Sequence, residues 1–179
     1  AALRIESIKF RRVASDFLKS TRNNCNVNLE RLFGYIETSV YVREIVHGVV
    51  DNVDYDFRSC FPSHASNWRE MAIPEKTEDH LKAQYDYMKY ICTNDKVNVE
   101  NEAFHYYYGM KKINDMIQSF AESAFKPMID YIVDALAEMT ILAEAENPHS
   151  AGTYIHNVQG AVITNNTGSV QINQTINPD

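Results

Sequence analysis

One change of period constrains this chain more than any other feature. From Leu3 to Leu142 the apolar residues recur every three to four positions, the spacing of helices. After Asn147-Pro148 that spacing stops and a strand-and-turn vocabulary of Val, Ile, Thr, Asn and Gly takes over. Within the periodic part, Leu3, Phe10, Val13, Ala14 and Phe17 predict a first helix over 3–20. Arg22 to Asn26 is a break, because Asn favours turns and caps. Leu29, Leu32, Phe33, Ile36, Val40 and Val50 predict one continuous second helix over about 28–53, capped by Asn28. Residues 54–74 read as an irregular loop holding Pro62, Pro74 and the only Trp, Trp68. A third helix is expected over Thr77 to Cys92, and a turn at Thr93-Asn94-Asp95. A long helix then follows from about residue 97, with Pro127 expected to kink or split it. The pattern predicts a mainly α fold. A bundle of four to five helices would span residues 1–147, with a short C-terminal β-ribbon or β-coil appendage over 152–178.

The appendage carries no charge until Asp179. It also repeats. Ile155 to Val162 aligns with Ile163 to Val170 on the pattern I-x-N-x-x-G-[AS]-V. Asn166-Thr167-Gly168 suits a hairpin turn; alternatively, each octad is one rung of a small β-coil. A ribbon of about 25 residues buries too little surface alone. It must pack on its own body or pair with other chains, and uncharged edges favour self-pairing. Ile155, Val158, Val162, Ile163, Val170 and Ile172 are the expected contacts of a homo-oligomer. The segment resembles the Gly-Asn-Val-Ile repeat tails attached to bacterial phage-defence and other conflict-system proteins. That resemblance implies that the helical body is a sensor, adaptor or effector part.

The 179 residues carry a net charge of −7, the wrong sign for a general nucleic-acid binder. The first 22 residues are the exception. Arg4, Lys9, Arg11, Arg12, Lys19 and Arg22 there outnumber Glu6 and Asp16. Such a basic first helix can meet nucleic acid, an anionic membrane or an acidic partner, or pair with the acidic remainder of its own fold. Cys25, Cys60 and Cys92 are far apart with no CxxC pair, which argues against structural zinc and a disulfide framework. No signal-peptide core opens the sequence, and no uncharged apolar run approaches the roughly 20 residues that span a bilayer. The expectation is a cytoplasmic, reduced protein without a cofactor.

Chemistry-bearing constellations are few. Glu44-x-x-His47 and Glu102-x-x-His105 each put a carboxylate and an imidazole on one helix face. The order resembles that of ferritin-like di-iron carboxylate bundles, which implies metal ligation by Glu44, His47, Glu102 and His105. Glu6, Glu78 and Asp86 are the only partial matches for the two further carboxylates. Arg58-x5-His64 resembles the motif of HEPN-type ribonucleases, implying catalytic roles for Arg58 and His64, although Pro62 interrupts it. Cys60 and His64 also form the nearest Cys/His pair in sequence. Tyr85, Tyr107, Tyr108 and Trp68 are candidates for an aromatic ligand pocket, or for a hairpin core. Phosphate-cradling loops and the hydrolase elbow are absent. The reading is a self-assembling interaction module that is not an enzyme. The alternatives are a di-metal helical-bundle enzyme and a HEPN-like ribonuclease.

Overall fold

Phe10, Ala14 and Phe17 fall on one side of a helix, and that stripe is what the N-terminal segment buries. The computed structural model describes residues 2–62 and 70–146. The described residues are mainly helical, with no strand among them. The helices are α1 (Ala2–Leu18), α2 (Cys25–Thr38), α3 (Val40–Val50), α4 (Thr77–Thr93), α5 (Val99–Tyr106) and α6 (Ile113–Glu146), with a 3-10 turn at Phe57–Ser59. By its internal contacts the chain divides into two units, Ala1–Thr140 and Ile141–Asp179. The packing below is that of the first. The expected β segment over 152–178 lies outside the described residues.

α1 packs on α2, and α2 also meets α3, α4 and α5. Asn28 does not cap α2, which already begins at Cys25. It sits in the second turn, buried, and donates Nδ2 to the Asp16 carbonyl at 3.1 Å and to Ser20 Oγ at 3.0 Å. Its amide is used to fasten α2 to the end of α1.

The single helix expected over 28–53 is two helices. Ser39 adopts extended backbone (φ −74°, ψ 126°) between them. Its Oγ accepts the Val42 N–H at 3.2 Å, which restarts the helix, and its hydroxyl donates to Glu6 Oε1 on α1. Tyr35 donates to the same oxygen at 3.0 Å. The apolar stripe survives the break: α2 buries Leu29, Leu32 and Ile36, and α3 buries Val42, Val46 and Val50.

The long helix expected from residue 97 is also interrupted. α5 ends at Tyr106, and Gly109 takes a φ of +96°, where L side chains are strained. α6 then continues through Pro127 instead of splitting there. Phe120, Ala121, Ala124, Phe125, Met128, Ile129 and Ile132 are all buried around it. Burying one large apolar side chain contributes about 1.5–3 kcal/mol, so this row outweighs the roughly 3 kcal/mol that an interior proline costs. Buried Gln84 from α4 adds a bond to the Ala124 carbonyl at 2.7 Å, three residues before the proline.

Tyr87 of α4 is the centre of the aromatic core. Its ring stacks on Phe61 with centroids 4.2 Å apart, and on Phe125 at 5.9 Å; Phe120 meets it edge-on at 6.2 Å. Phe17 brings α1 onto Phe125 at 5.8 Å.

Candidate functional site

A polar cluster gathers around His47, in the last turn of α3. Asp51 lies one turn on, and its carboxylate oxygens stand 3.0 and 3.2 Å from Nδ1. Glu37, from the last turn of α2, places Oε1 3.1 Å from Nε2. The break at Ser39 makes this second contact available. Tyr85 of α4 donates its hydroxyl to the same Glu37 oxygen at 2.9 Å and lies 3.4 Å from Nε2. The Tyr85 and His47 rings meet edge-on at 5.4 Å. Each imidazole nitrogen therefore faces a carboxylate, so an imidazolium donates to both and a neutral ring to one. Tyr85 is only 5% exposed. Burial first, then the bond to Glu37 and its charge, push its pKa up, so the phenol keeps its proton.

The cluster borders an open cleft of about 450 Å³ lined by Glu37, Thr38, Val40, Arg43, Glu44, His47 and Asp51. The one hydroxyl among these is that of Thr38, which donates to the Gly34 carbonyl at 2.7 Å. The arrangement can exchange a proton between carboxylates through an imidazole. It does not present an activated nucleophile.

Glu44 is exposed and borders the same cleft, without a bond to His47. Glu102 is 8% exposed and accepts the Tyr87 hydroxyl. Tyr85 and Tyr87 are two residues apart on α4, roughly 200° around the helix. Their partners, His47 on one side and Glu102 on the other, therefore lie against opposite sides of α4. His105, next to Glu102 on α5, keeps its Nδ1 buried and without a bond. The structure does not bring the two Glu-x-x-His motifs together. Among the described residues no group of three or more His, Cys, Asp or Glu is placed to hold a metal ion.

Arg58 sits in the 3-10 turn, where its guanidinium lies 4.9 Å from the Phe57 ring centroid and 3.7 Å from Asp56. Its sequence partner His64, and Trp68, lie outside the described residues. Of the three described pocket tyrosines, Tyr85 faces His47, Tyr107 bonds Ser123, and Tyr108 is exposed and edge-on to Phe104 at 5.1 Å. They have separate surroundings.

The thiols are not activated. Burial pushes Cys60 up to about 11, and burial with the Glu30 charge pushes Cys92 up to about 12. Both stay protonated and poorly nucleophilic at neutral pH. Of the basic residues in the first segment, Arg22 pairs with Glu100 at 3.0 Å and donates its backbone N–H to Asn114. Lys9 and Arg12 are exposed and form no ion pair among the described residues.

Among the described residues no helix is long and apolar enough to cross a membrane. No family model, curated protein or solved structure matches this chain.

Proposed function

We propose that this protein is a helical interaction module that self-associates through residues 152–178. The observation that carries the reading is the pair of matched, uncharged octads beginning at Ile155 and Ile163. Repeated β-forming segments without a blocking charge pair most readily with copies of themselves. The chemistry of the helical body supports the same reading. The buried hydroxyls of Tyr85 and Tyr87 are taken up by Glu37 and Glu102, and the thiols of Cys60 and Cys92 are held protonated by burial. If the tail does in this chain what similar tails do in conflict systems, assembly is the output and the helical body is the sensor or effector.

The test is the solution mass of the full chain beside Val162→Lys/Val170→Lys, which puts a charge at the matched position of each octad. The full chain is expected as an oligomer. The double variant is expected as a monomer with an unchanged far-ultraviolet helical signal. Equal masses for the two proteins would remove the assembly role.

A further inference from the structure

α1 presents a second surface, on the side away from its core stripe. At 100° per residue, Phe10, Ala14 and Phe17 point one way, while Ile5, Ile8 and Arg12 point the other. Ile5 is 52% exposed and Ile8 is 67% exposed. Both Ile residues are flanked by exposed cations, Arg11 along one edge and Lys9 along the other, with Arg12 between them. Among the described residues Arg11 bonds Ser7 alone, at 3.4 Å. Asp16, toward the end of the helix, is the one carboxylate on that side of α1.

We propose that this face docks α1, lying flat, onto an anionic lipid surface. Charge complementarity selects an anionic partner, because Lys9, Arg11 and Arg12 stand together on a chain whose acidic excess lies elsewhere. The two Ile residues select lipid over nucleic acid. A phosphate backbone gives an exposed Ile nothing to bury against, whereas the boundary between headgroups and acyl chains takes apolar tips while Lys and Arg reach back to the phosphates. At physiological salt the screening length is about 8 Å, so charges farther away than that contribute little to the local field.

The test is co-sedimentation of the full chain with vesicles of phosphatidylcholine alone and of phosphatidylcholine with about a third phosphatidylserine, at 0.1 and 0.5 M NaCl. Binding is expected only to the anionic vesicles, and weakened at the higher salt. Lys9→Glu/Arg12→Glu and, separately, Ile5→Ser/Ile8→Ser should each weaken it at least about tenfold, as expected for a few surface cations and a small apolar insertion. All four side chains are exposed, so thermal melting should show both variants folded. No binding to anionic vesicles would overturn the proposal, as would binding that survives both double variants. Binding to a DNA duplex that is tighter than to vesicles, and indifferent to the Ile substitutions, would reassign the face to nucleic acid and equally overturn it.

Discussion

At the scale of single residues, Glu37 does the most with the least. One of its oxygens accepts the Tyr85 hydroxyl and faces His47 Nε2. Glu37→Ala leaves the hydroxyl of the nearly fully buried Tyr85 with only its 3.4 Å contact to His47 Nε2, which costs about 1–3 kcal/mol, toward the low end because Glu37 itself is partly wet. Tyr85→Phe removes the hydroxyl and should cost about 1 kcal/mol. In the double variant neither group is left unpaired. Chemical denaturation should then show a loss smaller than the sum by about 0.5–1.5 kcal/mol. Strict additivity would mean that the bond contributes nothing. Part of this cluster was legible in the sequence. His47 and Tyr85 stand out as residue types, and Asp51 is the helical i+4 neighbour of His47. Glu37 was not legible. On one continuous helix, ten residues place Glu37 and His47 about 15 Å apart along the axis, beyond side-chain reach. Glu44, at the spacing that suggested a ligand pair, faces solvent instead.

At the scale of elements, periodicity located the apolar stripes but not the places where the chain turns. The stripe of 28–53 reads straight across Ser39, because a serine that caps and a serine on a helix surface look alike until Glu6 and the Val42 N–H are seen to use it. Gly109 was the stronger signal between α5 and α6, as the residue that tolerates its positive φ. Pro127 misleads in the other direction. A proline ends a helix only when nothing else holds it, and here a buried row on both sides of the proline does. The ring itself is exposed. Pro127→Ala should therefore restore a backbone bond to Ser123 without disturbing packing. The intrinsic gain of about 3 kcal/mol is reduced by the freedom that alanine gives the unfolded chain, roughly 0.4–1 kcal/mol, and by the relief that α6 has already found in place. A net stabilisation of about 1–2 kcal/mol is expected in urea unfolding. A variant no more stable than the parent would show that α6 accommodates the proline at no cost.

At the scale of the whole molecule, the helical class was legible because every buried stripe repeats at the same period. The abrupt loss of that period after Asn147-Pro148 was equally plain. Function is less legible, because the chemistry-bearing residues are spread over both sides of α4 instead of converging. The matched octads remain, and the proposal built on them makes a claim about mass action. A native state that self-associates while the unfolded state does not is stabilised by raising its own concentration. For a dimer, a tenfold increase contributes about 0.7 kcal/mol per chain, or a rise in Tm of about 2 °C for a protein of this size. The full chain should show that rise for each tenfold step, about 4 °C over a hundredfold range of concentration, and Val162→Lys/Val170→Lys should melt at one temperature throughout. The comparison separates two sources of association. If both proteins climb equally, the chains meet through another surface, of which the exposed Ile5 and Ile8 face of α1 is the first to test. If both stay flat, the octads do not join chains.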